Sequence, residues 1–241
     1  MKILSYNISW ESMTGLNKKW KYCNNTIPGQ DRYFGECIAN IATLIDTNCP
    51  YDMIALQEAS NYEKLIEHTS CLKTMKKSVH QSGSEQMVTF WNPSYKLIKN
   101  IKGNFQLGRP WNALIFDHNL CFINIHAGHY HMYMLIKHLD YMMRAIQDYV
   151  DLSQYRVVIA GDFNAMINAY YKHLILANKN FFISGIQLET LKQTYHKKII
   201  QFDHIIDSYR EPQTTYSPMV NNVASLQTSA SDHLPIIAIL Y

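Results

Sequence analysis

Short apolar runs of strand length alternate with amphipathic segments along the whole chain. Residues 3–8 predict a first strand, and the polar residues 11–30 predict a loop. Residues 31–48 predict a helix, because Phe34, Ile38, Ile41 and Ile45 recur at helical spacing and Pro50 stops the pattern. A mostly apolar run at residues 51–58 then predicts a buried strand.

The rest of the chain continues this mixture. Two apolar runs on either side of the Asp117-His118-Asn119 turn predict a hairpin of residues 111–116 and 120–126. Helices are predicted at residues 60–69 and 130–150, and further strands at residues 87–91, 156–160, 202–208 and 234–241. The mixture indicates an α/β fold with mixed sheets. Without a Gly/Ser linker or a repeat, we expect residues 1–241 to form one domain.

Composition narrows the class of protein. The 241 residues are 47% hydrophobic and 17% charged, which is typical of a globular chain, and the net charge of +3 permits a polyanionic partner without requiring one. The five cysteines show no zinc-type spacing and are expected to be free thiols. With no signal-peptide pattern and no apolar run long enough to span a membrane, we expect an intracellular protein, in cytoplasm or nucleus, and a monomer.

Polar residues directly follow several predicted strands. Asn7 ends the first strand, and Glu58 follows the apolar run Ile54-Ala55-Leu56. A carboxylate at a strand end is suited to a hard cation such as Mg²⁺, which takes one or two carboxylates together with water and phosphate. The alternative is that Glu58 only starts the helix predicted near Ser60.

Gly161-Asp162-Phe163-Asn164 follows another apolar run, with Gly161 permitting a sharp turn. If the chain stays extended, Asp162 and Asn164 lie on one side, where a carboxylate and an amide could orient a water molecule and stabilise charge on a phosphorane. The alternative is a turn in which both side chains bond locally.

Two Asp-His pairs lie near the end of the chain. They are Asp203-His204 and Asp232-His233, the second within Ser231-Asp232-His233. A carboxylate that hydrogen-bonds an imidazole fixes its tautomer, so we predict that Asp203 pairs with His233. His126, which ends the run Asn124-Ile125-His126, adds a second imidazole, and the alternative, more common for a lone histidine, is a structural role.

The order of these motifs resembles the endonuclease/exonuclease/phosphatase superfamily, which includes DNase I. That family has a strand-ending Asn, then Gln-Glu, a His after a strand, Gly-Asp-x-Asn, an Asp before His, Tyr or Arg, and Ser-Asp-His. The chain matches them over nearly its whole length, at Asn7, Gln57-Glu58, His126, Asp162 with Asn164, Asp203 and Ser231-Asp232-His233.

The resemblance implies a four-layer α/β sandwich, with two mixed β-sheets face to face and helices outside. It implies a Mg²⁺ or Mn²⁺ ion held by Asn7, Glu58 and Asp232, and in-line attack of water on a phosphate ester. The implied catalytic residues are His126, Asp162, Asn164, Asp203 and His233. Arg109 resembles a family arginine that reaches phosphate, and the alternative is an arginine that faces solvent. Nothing in the sequence selects an acidic partner for His126, for which Glu85 is only a guess.

Three functions remain open. A nuclease acting on DNA or RNA suits the mild positive charge and the aromatic residues Trp10, Trp20, Tyr22 and Trp111, which we expect near the rim of the site; the alternative for at least half of them is core packing. The lysines Lys18, Lys19 and Lys21 suit either a nuclease or an enzyme that acts on a headgroup. His126 stands where abasic-site endonucleases usually have Tyr, and Phe202-Asp203-His204-Ile205 departs from the Trp-x-Asp-Arg-Ile signature of inositol phosphate 5-phosphatases. A phosphatase or phospholipase-type enzyme on a lipid or inositol headgroup is the second reading. An inactive binding module is the third.

Overall fold

The computed structural model describes residues 1–14, 33–167, 173–183, 201–210, 213–216, 231 and 233–241. Its α-helices are α1 (Trp10–Thr14), α2 (Tyr33–Thr47), α3 (Tyr62–His68), α4 (Ser70–Lys73) and α5 (Met132–Gln147). Its strands are β1 (Lys2–Asn7), β2 (Met53–Gln57), β3 (Lys76–Ser82), β4 (Glu85–Trp91), β5 (Leu97–Asn104), β6 (Pro110–Phe116), β7 (Leu120–His126), β8 (Arg156–Asp162), β9 (His173–Leu176), β10 (Lys179–Ile183), β11 (Asp203–Asp207), β12 (Gln213–Tyr216) and β13 (Ile236–Ile239).

The strands form two mixed sheets. One has six strands in the order β12-β13-β1-β2-β4-β3, and the other has seven in the order β5-β6-β7-β8-β11-β10-β9. Each contains one parallel pair, β1 with β2 and β7 with β8, and the remaining pairs are antiparallel. The predicted hairpin is present as β6 and β7.

Three apolar clusters divide the protein into four layers. Ile3, Met53, Phe122 and Val158 belong to the cluster between the two sheets. A second cluster joins the six-stranded sheet to α2, α3 and α4, and a third joins the seven-stranded sheet to α5. The central strands bury both faces, which explains why their sequences read as continuous apolar runs. The four-layer α/β sandwich is confirmed, whereas a single domain over residues 1–241 stays a prediction.

Several elements were not predicted from the sequence. Helix α1 begins at Trp10 and runs into the predicted loop, so that boundary is wrong, and residues 15–32 lie outside the described part. Strands β3, β5, β9, β10 and β12 were missed, and all of them except β10 lie at an edge of their sheet. In β3 and β5 few side chains are buried, which leaves little hydrophobic pattern to detect.

The glycine at position 161 has a different role from the expected sharp turn. Gly161 lies inside β8 with φ at 150°, and a Cβ atom there would meet the carbonyl oxygen of Ile125 at 2.0 Å. Glycine is therefore required so that β7 and β8 can approach closely at the end that carries His126 and Asp162.

The cysteines also differ from the expectation of free thiols. Cys49 and Cys71 form a disulfide, and Cys37 is disulfide-bonded as well, whereas Cys121 is free and buried. Among the described residues, no helix is long and apolar enough to cross a membrane.

Candidate active site

The alternation of side chains along the strands places the predicted residues on one face. Asn7 lies two pleats beyond Ile3 in β1, and Asp162 lies two pleats beyond Val158 in β8, so both side chains face the space between the sheets, as Ile3 and Val158 do. The same parity holds for His126 in β7 and for Asp203 in β11. Polar residues therefore replace the apolar ones where the inter-sheet core reaches the strand ends.

Strand register brings three of these residues into one row. In the seven-stranded sheet, His126 of β7 is level with Asp162 of β8, and Asp162 is level with Asp203 of β11. In the facing sheet, Asn7 of β1 is level with Gln57 of β2, so Glu58 follows directly beyond it. Residues that are far apart in sequence thus meet at one edge of the sandwich.

Hydrogen bonds join the two sheets across this edge. Asn7 Nδ2 donates to Asp162 Oδ2 at 3.0 Å, and His233 Nδ1 lies 2.8 Å from Asp203 Oδ2. The predicted contact between Asp203 and His233 is therefore present. Ser231 Oγ donates to the Asn7 carbonyl at 2.6 Å and accepts from the His233 amide at 3.1 Å, which fixes the chain that carries His233 against β1.

Asp162 is the centre of the site. Its Oδ1 accepts a hydrogen bond from the Asn164 backbone amide at 2.8 Å, so the local bond foreseen as the alternative is present for Asp162. It is absent for the Asn164 side chain, which bonds the distant Ala127 carbonyl. Asp162 Oδ2 lies 3.5 Å from His126 Nε2 and 3.8 Å from His233 Nε2. Burial alone would raise the pKa of Asp162, but the two imidazoles and the bonds from Asn7 and Asn164 outweigh it and hold the pKa below its ordinary range.

Asp203 has the opposite electrostatic character. Burial raises its pKa to about 6, opposed by His233 and assisted by the neighbouring charge of Asp162. Among the described residues, Asp203 Oδ1 has no hydrogen-bond partner. Asp203, Asp162 and His233 each offer a ligand atom, and these atoms lie within 4.8 Å of one another, which makes them the metal-competent cluster of the described part.

Glu58 is held in an unusual backbone conformation at the end of β2. Its φ is 54°, in the left-handed region that non-glycine residues seldom adopt, and Asn164 has a similar φ of 50°. Glu58 Oε2 accepts from the Trp10 amide at 2.9 Å, and Oε1 lies 3.5 Å from Asn7 Nδ2. Burial raises the pKa of Glu58, which a nearby cation would counteract. Strained backbone of this kind clusters at functional sites.

Glu85 is a candidate site residue that the sequence did not predict, because it was only a guess for the partner of His126. It begins β4, its Oε1 is hydrogen-bonded to His126 Nδ1, and its Oε2 accepts from Arg109 Nη1 at 2.7 Å. Burial lowers the pKa of His126, but Glu85, Asp162 and Glu58 together raise it above its ordinary value. No local pattern marks Glu85, because only the pairing of β4 with β2 brings it to the site.

Arg109 reaches the site as the resemblance implied. Its Nη1 lies 3.2 and 3.3 Å from the two ring nitrogens of His126, and such equal distances place the guanidinium over the ring rather than along either lone pair. We therefore count the Glu85 bond as its polar anchor. Asn164 is oriented by its side-chain amide, which donates to the Ala127 carbonyl at 2.8 Å.

These side chains line a small polar cavity of about 160 Å³, which we call the inner cavity. Its lining includes Asn7, Glu58, Arg109, His126, Asp162, Asn164 and His233. Of the aromatic residues expected at the rim, Trp10 lines the cavity, whereas Trp111 is buried in the core beside α5, so that expectation is wrong for Trp111. Asp232, Trp20, Tyr22 and the lysines at 18, 19 and 21 lie outside the described residues.

The donor set fits a hard divalent cation. Glu58 and Asp162 offer carboxylate oxygens, which are the ligands that Mg²⁺ and Mn²⁺ prefer. The Asn7 side chain turns its Nδ2 toward both carboxylates, so its Oδ1 would have to turn toward a cation to bind it. Glu58 and not Asp203 is the better first ligand, because Asp203 is fully buried and already bonded to His233. Four carboxylates, those of Glu58, Glu85, Asp162 and Asp203, face three basic groups, those of His126, His233 and Arg109, which favours an added positive charge.

Comparisons with known proteins bear on the sequence and on the fold. No family model matches the sequence. The chain is 30% identical over 258 aligned positions to the uncharacterized protein L684 of Acanthamoeba polyphaga mimivirus; the match covers 98% of the chain and 50% of L684. The chain thus spans about half the length of this relative.

Solved structures with the same fold include the following three proteins. An endonuclease/exonuclease/phosphatase from Bacteroides vulgatus matches with a TM-score of 0.65 at 13% identity, covering 98% of this chain and 97% of its own. The mannosyl-6-phosphatase of Bacteroides thetaiotaomicron gives 0.65 at 12% identity, covering 100% and 99%. The 2′,3′-cyclic phosphatase ANGEL2, bound to adenosine-2′,3′-vanadate, gives 0.65 at 13% identity, covering 98% and 97%. The chain therefore has the DNase I-like fold of the endonuclease/exonuclease/phosphatase superfamily.

Proposed function

We propose that this protein is a phosphoesterase that uses Mg²⁺ or Mn²⁺, and that it is a nuclease hydrolysing phosphodiester bonds of DNA or RNA. The observation that carries the proposal is the position of Asp162. This buried carboxylate lies between His126, His233 and Asn7 at the floor of an open polar cavity. Such a group is suited to take or orient a proton of water, because its neighbours keep it ionised.

Around Asp162 the other residues have separate roles. Asp203 holds the His233 ring through Nδ1, so Nε2 points toward Asp162 and the cavity. Asn164 presents its amide where charge develops on a phosphate. These positions support in-line attack by water, with no covalent intermediate on the protein.

The metal would be held by Glu58 and Asn7, with Asp232 as a further ligand carried over from the resemblance. Bound there, a divalent cation supplies polarisation of a phosphoryl oxygen and stabilisation of the departing oxygen. The raised pKa of Glu58 supports this assignment, since a carboxylate buried without a cation is disfavoured in its charged form.

His126 and Arg109 serve the other side of the phosphate in this proposal. Glu85 bonds His126 Nδ1, so Nε2 is the ring nitrogen that faces Asp162. The raised pKa of His126 favours the imidazolium, which stabilises phosphate charge and carries a proton for the leaving oxygen. Arg109 is about one third exposed and adds a fixed cation beside it.

Activity screening tests the proposal directly. Purified protein is incubated with supercoiled plasmid, single-stranded RNA and a soluble inositol phosphate, each with Mg²⁺ and with EDTA. We expect cleavage of nucleic acid that requires the cation. Activity undiminished in EDTA would contradict the metal assignment. Cleavage of the inositol phosphate alone would contradict the nuclease assignment and leave the phosphoesterase one.

Metal binding provides a second readout that does not need turnover. Titration with Mn²⁺ in a calorimeter should show binding that Glu58→Gln weakens by roughly 10-fold or more, as expected for loss of a carboxylate ligand. Glu67→Gln is the matched control, because Glu67 is exposed on α3. Equal effects of the two substitutions would show that Glu58 is not a ligand.

The second candidate is a phosphatase or phospholipase-type phosphodiesterase on an inositol phosphate or lipid headgroup. The observation that favours it is the small inner cavity of about 160 Å³, which has room for a single phosphate group. An inactive binding module is disfavoured. Of the nine proposed site residues eight are described, and all eight lie together at one edge of the sandwich.

A further inference from the structure

A larger cavity of about 750 Å³ adjoins the inner one, and we call it the outer cavity. It is continuous with the site, because Trp10, Glu58 and Arg109 line both cavities. The rest of its lining comes from the turn between β3 and β4, at residues 82–85, and from the loop that ends at Arg109. Its volume falls within the range of about 300–1,000 Å³ that small-molecule sites occupy.

Leu107 lies on the rim of this cavity in a conformation that local forces do not favour. Its side chain is 91% exposed, and its φ is 66°, in the left-handed region. A left-handed backbone is disfavoured for a residue with a Cβ atom. An exposed leucine side chain buries no apolar surface, so the position of Leu107 does not stabilise the fold through burial.

The loop that carries Leu107 is nevertheless firmly attached. Phe105 is buried, and its amide donates to the Arg109 carbonyl at 2.7 Å. The Tyr130 hydroxyl donates to the Gln106 carbonyl at 2.8 Å, and Ser82 Oγ donates to the Gly108 carbonyl. Hydrogen bonds on both sides of Leu107 therefore fix its side chain at the outer cavity. A side chain that is already in place costs less entropy when a ligand binds.

We propose that the outer cavity binds the nucleobase of a nucleotide whose phosphate occupies the inner cavity. This proposal rests on the proposed function and names its substrate class. An indole and an isobutyl group, from Trp10 and Leu107, provide apolar surface for a flat ring. Ser84 and the backbone of Gly83 provide hydrogen-bonding groups for its edges, and the Ser82 hydroxyl, which donates to Gly108, can still accept a bond.

Other substituents on the phosphate fit this lining less well. A hexose or inositol ring presents hydroxyls on every side, and Leu107 and Trp10 would leave several of them unpaired. A lipid chain would need a lining that is apolar throughout, whereas this one includes two serines and the charged Glu58, Glu85 and Arg109. A base has both apolar faces and polar edges, as this cavity does.

Binding measurements test the proposal without depending on turnover. In the presence of Mg²⁺, the affinities of inorganic phosphate and of a nucleoside 5′-monophosphate are compared by calorimetry for the intact chain. We expect the nucleotide to bind at least about 10-fold more tightly, because stacking is worth about 1–3 kcal/mol per base. Leu107→Ala and Trp10→Ala should each reduce this preference.

The variants are chosen so that misfolding does not hide the answer. Leu107 is almost fully exposed, so Leu107→Ala leaves the core untouched, and Leu107→Asn removes the apolar surface with a residue that accepts the left-handed backbone. Ile175→Ala is the matched control, because Ile175 is an exposed apolar residue on edge strand β9 and lines neither cavity. It should keep the wild-type preference.

Two results would overturn the proposal. One is equal affinity of the wild-type protein for phosphate and nucleotide. The other is a preference for an inositol or mannose phosphate over the nucleotide that Leu107→Ala abolishes, which would assign the cavity to a polyol. A nucleotide preference that depends on Leu107, in a protein that hydrolyses no ester, would leave the cavity assignment standing and refute only the catalytic function.

Discussion

Single residues in this site owe their chemistry to the balance between burial and neighbouring charge. Asp162 and Asp203 are both fully buried carboxylates at paired positions of adjacent strands. Two imidazoles and two hydrogen bonds lower the pKa of Asp162, whereas burial prevails for Asp203 and raises its pKa to about 6. Groups whose environments separate their pKa values are suited to different roles in one reaction.

The first prediction concerns the link from Asp203 to His233. Asp203→Asn keeps the volume of the side chain but can present its amide NH₂ to the imidazole and disturb the tautomer. We expect kcat on the preferred phosphodiester to fall about 10²–10⁴-fold while the thermal transition stays cooperative. Asp148→Asn, at an exposed position after α5, is the control and should retain full activity. Full activity of Asp203→Asn would refute the pairing as functional.

The second prediction concerns stability and pH. The folded-state pKa of Asp203 is raised from 3.8 to about 6, so the folded protein binds this proton more tightly than the unfolded chain does. The stabilising contribution is present below about pH 4 and is lost as the pH rises through about 6, with a magnitude of up to roughly 3 kcal/mol. Urea unfolding in EDTA, from pH 4 to 7, should therefore show wild type losing stability relative to Asp203→Asn. If the difference in free energy of unfolding between the two proteins stays constant from pH 4 to 7, the raised pKa of Asp203 is contradicted.

At the scale of elements, the closeness of β7 and β8 decides whether the site can form. The two strands run parallel, and their last paired residues are His126 and Asp162. Gly161 makes this possible, because any side chain at that position would enter the backbone of Ile125. The motif Gly-Asp-x-Asn is thus a packing requirement followed by a chemical one.

The third prediction compares two glycines. Gly161→Ala should destabilise the protein by several kcal/mol, since the new Cβ atom meets backbone that cannot move without breaking the strand pair. Gly83→Ala, in the β3–β4 turn, faces open space and should cost only about 1 kcal/mol for its left-handed φ of 58°. Urea midpoints of the two variants provide the measurement. Equal losses would show that Gly161 is needed only for its conformation.

At the scale of the whole molecule, charge decides how a polymer would be attracted. The net charge of the chain is only +3, and the Arg109 guanidinium is already paired with Glu85. Attraction of a polyanion must therefore come from cations that are not paired inside the site. Lys18, Lys19 and Lys21 are the sequence's candidates, and they lie outside the described residues.

The fourth prediction tests this attraction through salt. Affinity for duplex DNA should fall with a log–log slope of about −0.9 for each phosphate contacted. Replacing the three lysines together by alanine should flatten that slope. The control replaces Lys73, Lys76 and Lys99, which are exposed and line neither cavity, and removes the same charge. Equal flattening by both triple variants would mean that only net charge matters, and an unchanged slope would exclude the three lysines as contacts.

Much of the fold was predictable from the sequence, and the reason is burial. Strands β1, β2, β6, β7 and β8 and helices α2 and α5 bury most of their apolar faces, so their sequences carry a clear pattern. Edge strands such as β3 and β5 bury few side chains, so their sequences carry little hydrophobic pattern and these strands were missed. The order of Asn7, Glu58, His126, Asp162 and His233 along the chain also carried enough information to indicate the DNase I-like fold.

Tertiary structure alone decided which of these residues meet and how they are charged. Glu85 reaches His126 because β4 pairs with β2. The sequence around Glu85 contains no pattern that predicts this contact. The raised pKa of Asp203 and the lowered pKa of Asp162 follow from burial and neighbours supplied by both sheets. Sequence fixes local preference and hydrophobic period, whereas distances between side chains far apart in the chain depend on strand register and sheet packing, which exist only in the folded molecule.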